Sequence, residues 1–297
     1  MTLKKMVPAA LALLLLPAWA QAQQTAPQTV ERSGSASANG EVEIENVAGS
    51  IRVEAWDRNE VAMTARLGRG IERVDFEIEG STTQIEVVYP RHGRNVEGAD
   101  LVVRVPVGSR VHVEGVSAEV IVQGVRGDVD AESVSGNVRV TGGTRVVHAA
   151  SVSGNVVVEA ATNDVRAESV SGRVQLNGAS GYIEAETTSG DITVDGRDAS
   201  SVSLQSVSGR VGFRGSLTRN ASVNIESFSG TVDFVVPANT VGDFEASTFS
   251  GGIDNGFNDT RPRTERRGPG SELEFSTGNG AEIELNSFSG QIRIRRM

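Results

Sequence analysis

Three histidines are the side chains of this sequence best suited to proton transfer or to transition-metal binding near neutral pH. His92 follows Pro90 in a polar stretch, whereas His112 and His148 occupy polar positions between alternating apolar residues. The chain contains no cysteine, and no second histidine lies at the short spacing that is typical of zinc ligands. We therefore predict that the three histidines are solvated surface residues, and we expect no metal site and no cofactor.

Serines and carboxylates are the remaining candidates for catalysis. No serine lies in the Gly-x-Ser-x-Gly sequence of a nucleophile elbow. Asp254, Asn258 and Asp259 stand close together and could bind a hard cation through oxygen, as do acids in polysaccharide-cleaving enzymes built on β-helices. Their spacing does not match a calcium-binding loop of the EF-hand type. We therefore favour a solvated turn at these residues and predict that the protein is not an enzyme.

A basic patch interrupts an otherwise acidic chain, whose formal net charge is −10. Arg261, Arg263, Arg266 and Arg267 could contact an acidic polysaccharide of the cell envelope or the carboxylates of a partner protein. The alternative is a solvated loop whose charges discourage the stacking of one molecule on another. The overall acidity argues against nucleic acids and anionic membrane surfaces as partners.

The first 22 residues have the pattern of a secretory signal peptide. Lys4 and Lys5 precede an apolar run at 9–16, and Ala-x-Ala cleavage sequences follow at 18–20 and 20–22. No other segment is long and apolar enough to span a bilayer as a helix. We therefore predict an exported protein, in the periplasm or at the cell surface.

Internal repetition is the dominant feature of the rest of the sequence. The segment at 129–140 recurs 18 residues later at 147–158 and again at 165–176. Each copy contains a Ser-x-Ser-Gly turn, and later copies are 19 to 21 residues apart, with one gap of 39. The glycines at this turn are Gly136, Gly154, Gly172, Gly190, Gly209, Gly230, Gly251 and Gly290.

Each repeat predicts two short strands around this turn. Apolar residues alternate with polar ones before the turn and again after it, which is typical of half-buried strands. Glycine suits such a bend because it adopts positive φ angles at little cost. A unit of this size buries its apolar side only by stacking on its neighbours at about 4.8 Å. We therefore predict an all-β fold, a single-stranded β-solenoid with about 18–21 residues per coil.

The domain organisation follows from where the repeat is regular. We predict a flexible lead-in at 23–40, an N-terminal β subdomain or irregular first coils at 41–110, and solenoid repeats at 111–297 with a loop excursion at 255–272. Larger apolar residues near the C-terminus indicate a wider core there. These are Phe213, Phe228, Phe234, Phe244, Phe249 and Phe288.

The series of Ser/Thr-x-Ser-Gly turns resembles a bacterial family of predicted adhesins with β-strand repeats, a domain of unknown function. The segment at 46–53, followed by Trp56 and Asp57, is similar to that family's opening. The resemblance implies a β-repeat fold and an envelope protein that presents a rigid surface for adhesion or interaction. An alternative is a periplasmic scaffold that binds another envelope protein, and a carbohydrate-active enzyme is a third, disfavoured possibility. The partner, an envelope protein or a polysaccharide, stays unidentified.

Overall fold

Valine, isoleucine or alanine at every second position is a pattern that forms β-strands, and strands make up this molecule. The computed structural model describes residues 28–92, 95–264 and 270–297, in which strands and turns occur without any helix. The predicted signal peptide at 1–22 lies outside the described residues. In chain order the strands are β1 (Gln28–Ser35), β2 (Glu41–Trp56), β3 (Glu60–Leu67), β4 (Arg73–Glu79), β5 (Thr82–Val88), β6 (Ala99–Pro106), β7 (Arg110–Gln123), β8 (Val129–Ser133), β9 (Val138–Gly142), β10 (Val146–Ser151), β11 (Val156–Ala160), β12 (Asp164–Ser169), β13 (Val174–Thr187), β14 (Ile192–Ser208), β15 (Val211–Ser229), β16 (Val232–Val236), β17 (Gly242–Ser250), β18 (Ile253–Gly256), β19 (Arg263–Thr264), β20 (Ser271–Ser276), β21 (Ala281–Ser289) and β22 (Ile292–Arg296).

One coil consists of a strand before the Ser-x-Ser-Gly turn and a strand after it. β10 lies parallel to β8 with Val147 opposite Val129, and β11 lies parallel to β9 with Val156 opposite Val138. We call the strands before the turns the first strand ladder and those after the turns the second strand ladder. This arrangement confirms the predicted all-β solenoid.

The core lies between the two ladders. Val129 and Ala131 of the first ladder are buried, as are Val138 and Val140 of the second. The core widens toward the C-terminus, where the rings of Phe213 and Phe234 stack with centroids 5.5 Å apart. The alternation in each strand thus divides it into an inner apolar face and an outer polar face.

At the N-terminal end, the coils do not stack in chain order. β2 lies between the coil formed by β5 and β6 on one side and β7 on the other, and it is parallel to all three. Antiparallel strands close this end, since β4 pairs with β5, β3 with β6, and β1 with β3. The predicted flexible lead-in is therefore replaced over Gln28–Ser35 by strand β1. Residues 41–110 form coils and capping strands that continue directly into the repeats.

The C-terminal end has the same kind of exchange. β21 pairs with β15 on one side and β17 on the other, and β22 likewise lies between β16 and β18. The last coil of the chain is therefore inserted between two coils that precede it in sequence. β20 caps the outermost coil by antiparallel pairing with β17. Within the predicted loop excursion at 255–272, Phe257 is buried against Phe244 and Phe275.

Candidate ligand-binding groove

The turn serines of the regular coils connect one coil to the next. The Ser151 hydroxyl accepts a hydrogen bond from the Gly154 N–H at 2.9 Å and donates one to the Gly136 carbonyl at 2.9 Å. Ser133 and Ser169 make the equivalent pair of bonds in their coils. These three serines are therefore structural and hold their turns against the preceding ones. Within the described residues, the buried hydroxyls of three later turn serines have no hydrogen-bond partner: Ser206, Ser227 and Ser287.

The turn glycines are required by close packing of backbone on backbone. A Cβ on Gly154 would lie 2.5 Å from the carbonyl carbon of Gly136 and nearer still to its oxygen. Of the eight turn glycines, Gly209 and Gly230 alone have positive φ angles, at 146° and 159°. The predicted reason for these glycines, a positive φ, is wrong for the other six.

The residue between the two turn serines points outward in successive coils and forms an exposed apolar row. Val134, Val152 and Val170 are 46%, 45% and 47% exposed. Parallel stacking at about 4.8 Å places each of these side chains directly beside the next. The apolar row consists of Val47, Val116, Val134, Val152, Val170, Val207 and Phe228, with Thr188 in one coil.

Aromatic residues extend this row at the C-terminal end. Phe288 stacks on Phe228 with centroids 4.8 Å apart and on Phe249 with centroids 5.0 Å apart. All three rings are about half exposed, so their prediction as core residues is wrong. They occupy the position of Val134, which directly follows a buried serine or threonine, so the alternation of the strand itself turns them outward.

An acidic row runs beside the apolar row on the outer face of the first strand ladder. Glu114 lies opposite Glu132, and Glu168 lies opposite Glu186, on adjacent parallel strands. The acidic row consists of Glu45, Glu114, Glu132, Glu168, Glu186 and Glu226, with Ala150 and Gln205 in two coils.

The two rows form the walls of one groove, which we call the acidic–apolar groove. It extends from Glu45 and Val47 to Glu226 and Phe228 and has a volume of about 770 Å³. These eight coils correspond to a length of roughly 34 Å at the usual strand spacing. The groove therefore offers one elongated site with an apolar wall and an anionic wall.

Burial and neighbouring carboxylates raise the pKa of two glutamates in the acidic row. Burial, followed by repulsion from Glu168 and Glu184, raises the pKa of Glu186. Burial and repulsion from Glu114 raise the pKa of Glu45 in the same way. When ionised, Glu186 and Glu45 therefore oppose folding slightly.

We expect Glu186→Gln to increase the free energy of unfolding at pH 7 by about 0.2–1 kcal/mol, because the ionised carboxylate is partly buried and lies opposite the like charge of Glu168. The pKa of Glu186 is raised in the folded state, so this carboxylate opposes folding when ionised and the opposition disappears as the pH falls through that pKa. Urea denaturation at pH 7 and below pH ~4 should show the gain only at pH 7.

Glu159→Gln provides the control for this prediction. Glu159 lies 2.9 Å from the Arg139 guanidinium, so its carboxylate is paired. We expect this variant to lose a few tenths of a kcal/mol at pH 7, where Glu186→Gln gains. Equal effects of the two variants would contradict the assignment of repulsion to the acidic row.

A histidine–carboxylate cluster borders the groove near Ala150. The two oxygens of Asp130 lie 2.9 Å from His148 Nδ1 and 3.3 Å from His112 Nδ1. The hydrogen bond with Asp130 raises the pKa of His148 and lowers that of Asp130. Burial lowers the pKa of His112, but contacts with Glu114 and Asp130 outweigh it and the net shift is upward. Both histidines lie on the outer strand face, as predicted.

The other predicted candidates lie elsewhere. Asn258 Oδ1 accepts hydrogen bonds from Asn255 and from the backbone of Thr260, so it stabilises a turn. Arg261 and Arg263 are exposed near β19, while Arg266 and Arg267 lie outside the described residues. Arg261 and Arg263 do not line the groove.

Sequence reasoning missed the apolar row and the histidine–carboxylate cluster, although the repeat contains both. The valines recur with the turn glycines, and His112, Asp130 and His148 are each 18 residues apart. One period equals one coil, so residues at this spacing become neighbours in space.

Several solved structures are similar to this chain. The crystal structure of a predicted adhesin from Parabacteroides distasonis is 12% identical, covers 90% of this chain and 97% of its own, and has a TM-score of 0.41. The crystal structure of a predicted adhesin from Parabacteroides merdae is 12% identical, covers 90% of this chain and 96% of its own, and has a TM-score of 0.40. The crystal structure of a predicted lipid-binding protein from Parabacteroides distasonis is 12% identical, covers 91% of this chain and 96% of its own, and has a TM-score of 0.36. No curated protein matches the sequence.

The described parts of the chain contain no helix of the length and apolarity needed to cross a membrane. The family model described as Toastrack DUF4097 matches residues 29–295, which is most of the sequence. This match confirms the resemblance inferred from the repeated turns. The chain therefore belongs to the Toastrack DUF4097 family.

Proposed function

We propose that this protein is an exported, non-catalytic interaction module of the bacterial cell envelope and that the acidic–apolar groove holds its partner. The pattern of the first 22 residues supports export. The groove supports binding rather than catalysis, because it repeats one chemistry in successive coils. Catalysis would instead need one distinct constellation of groups.

The exposed apolar row is the observation that carries this proposal. Soluble monomers rarely expose contiguous apolar patches larger than a few hundred Å². Apolar patches above that size mark interaction sites. Here the row is continuous over several coils and ends in the three stacked rings of Phe228, Phe288 and Phe249. The fold does not require apolar side chains there, since Thr188 occupies the same position in one coil.

The dimensions of the groove favour an amphipathic helix as the partner segment. A helix of about 22 residues spans roughly 34 Å, and its apolar stripe recurs every 5.4 Å. Side chains on one face of an extended strand recur at about 6.7 Å, which is further from the 4.8 Å spacing of the valines. A helix seated in the groove would therefore keep its stripe on the apolar row over several coils.

The acidic row determines the charge of that helix. Glu132, Glu168 and Glu186 present carboxylates along the wall that faces the valines. Lysine or arginine beside the apolar stripe would pair with them, whereas an acidic polysaccharide would be repelled. We therefore propose an envelope protein with a basic amphipathic segment as the partner.

We expect Val134→Ser with Val152→Ser to weaken binding of such a segment by about 10-fold or more, because two apolar contacts are lost. The probe is a labelled 22-residue helical peptide with leucines on one stripe and lysines on the adjacent stripe. Fluorescence anisotropy with the mature protein measures its affinity, and the same peptide with glutamates in place of lysines should not bind.

Val241→Ser is the matched control, since Val241 is exposed but lies outside the groove. It should leave the affinity unchanged. Equal binding by the double variant and the wild type would overturn the groove as the binding surface. Loss of binding in Arg261→Ala with Arg263→Ala instead would favour the alternative, a scaffold that acts through its basic patch.

A further inference from the structure

Three successive coils bring two histidines to either side of one aspartate. His112 on β7 lies opposite Asp130 on β8, and His148 on β10 lies opposite Asp130 from the other side. The strands are parallel and in register, so the backbone fixes these neighbours. The proposed groove function makes no use of His112, Asp130 and His148.

Three of the side chains converge as ligands of one ion would. His148 Nδ1 lies 2.9 Å from Asp130 Oδ1 and 3.7 Å from Glu132 Oε1, and one ligand atom from each residue lies within 4.8 Å of the others. Ligands bound tetrahedrally at 2.0–2.1 Å from a zinc ion are about 3.3 Å apart. Side-chain rotations of a small size therefore complete a three-ligand set.

Charged groups lie behind these ligands on both sides. Glu168 Oε1 lies 4.0 Å from His148 Nε2, the ring nitrogen that would stay free of the ion. On the other side, His112 Nδ1 lies 3.3 Å from Asp130 Oδ2, and Glu114 lies 2.9 Å from His112 Nε2. A carboxylate behind a ligating imidazole, and a donor behind a ligating carboxylate, are the usual outer partners of metal ligands.

Space and charge also favour a cation here. Ala150, in register with Glu132, puts a methyl group where neighbouring coils have a glutamate, so Glu132 can turn toward His148. Asp130 and Glu132 have no arginine partner among the described residues, whereas Glu168 is paired with Arg166. The ligand side chains are one-third to one-half exposed, so an ion and its water ligands can enter from solvent.

We propose that His148, Asp130 and Glu132 bind one divalent transition-metal ion of the Zn²⁺ class on the outer face of the first strand ladder. An imidazole nitrogen with two carboxylates suits such ions, whereas Ca²⁺ and Mg²⁺ prefer oxygen ligands alone. The site shares Glu132 with the acidic–apolar groove, whereas His148 and Asp130 are not among the residues that line the groove.

Calorimetric titration of the mature protein with zinc chloride tests the site. We expect one equivalent to bind, and His148→Gln or Asp130→Asn to weaken that binding by more than 100-fold. Glu168→Gln, an outer partner, should weaken it by about 10- to 100-fold. His92→Gln is the matched control, because His92 is exposed in a loop outside the cluster. This variant should bind zinc as the wild type does.

Thermal unfolding with and without zinc supplies the second readout. The variants replace outward-facing side chains, so their melting temperatures without zinc should stay near that of the wild type. Zinc should raise the melting temperature of the wild type but not that of His148→Gln. Absence of zinc binding by the wild type, or equal binding by His148→Gln, would overturn the proposal. Peptide binding in the groove is measured without zinc, so failure of one proposal is distinguishable from failure of the other.

Discussion

Gly154→Ala should lower the free energy of unfolding by about 3 kcal/mol or more, although it adds a single methyl group. The new Cβ would lie 2.5 Å from the Gly136 carbonyl carbon, inside the van der Waals distance of backbone atoms that cannot move aside. Relief requires the turn to shift, which breaks the hydrogen bonds of Ser151 to both glycines. Urea denaturation followed by circular dichroism measures the loss.

Gly143→Ala is the control for this prediction. Gly143 lies in the return turn of a neighbouring coil, and the nearest atom to its Cβ would be 4.0 Å away. We expect a change within about 0.5 kcal/mol, as is usual for surface substitutions. If both variants unfolded at the same urea concentration, close backbone contact would not be the reason for glycine at the turn.

Leu285→Ala should lower the free energy of unfolding by 2–5 kcal/mol, the usual range for removing a buried leucine side chain. Leu285 is fully buried and is paired with Ile225 of one coil and Ala246 of another. Because the last coil of the chain is inserted between these two, the variant should accelerate hydrogen exchange in both β15 and β17. Mass spectrometry of peptides from the exchanged protein measures this effect.

A cysteine pair tests the coil order on which this prediction depends. The chain has no cysteine of its own, so Asn224→Cys with Glu284→Cys introduces one pair at directly opposed positions. We expect this pair to form a disulfide on oxidation. Asn224→Cys with Glu245→Cys places the thiols two strands apart, roughly 10 Å, which exceeds the span of a disulfide. Cross-linking of the second pair alone would mean that the coils stack in chain order.

The repeat period was sufficient to predict the solenoid, its alternating strands and the eight turn glycines, because each depends on local pattern. The reason for the glycines was not predictable, since it lies in the contact of one turn with the turn below it. Phe228, Phe249 and Phe288 were expected in the core because large apolar side chains are usually buried. Each follows a buried serine or threonine, so the rule that every second residue faces inward places these rings on the outer face.

The acidic–apolar groove shows the same division between local and tertiary information. Glu132 and Val134 are visible in the sequence as polar and apolar residues of one repeat, but the groove exists only where eight coils are aligned. The 18-residue spacing of His112, Asp130 and His148 was equally visible, yet it becomes a cluster only because one period corresponds to one coil in register.

By itself, then, the sequence determined the fold class, the coil length and the identity of the residues at each turn, because these follow from short-range periodicity and from the need to bury one side of every strand. Only the tertiary structure decided the order of the coils at both ends, where β2 and β21 are each inserted between other coils. Repeats of nearly equal sequence can pair with one another in more than one order, and the capping strands β3 and β20 favour the observed one by covering the outermost coils.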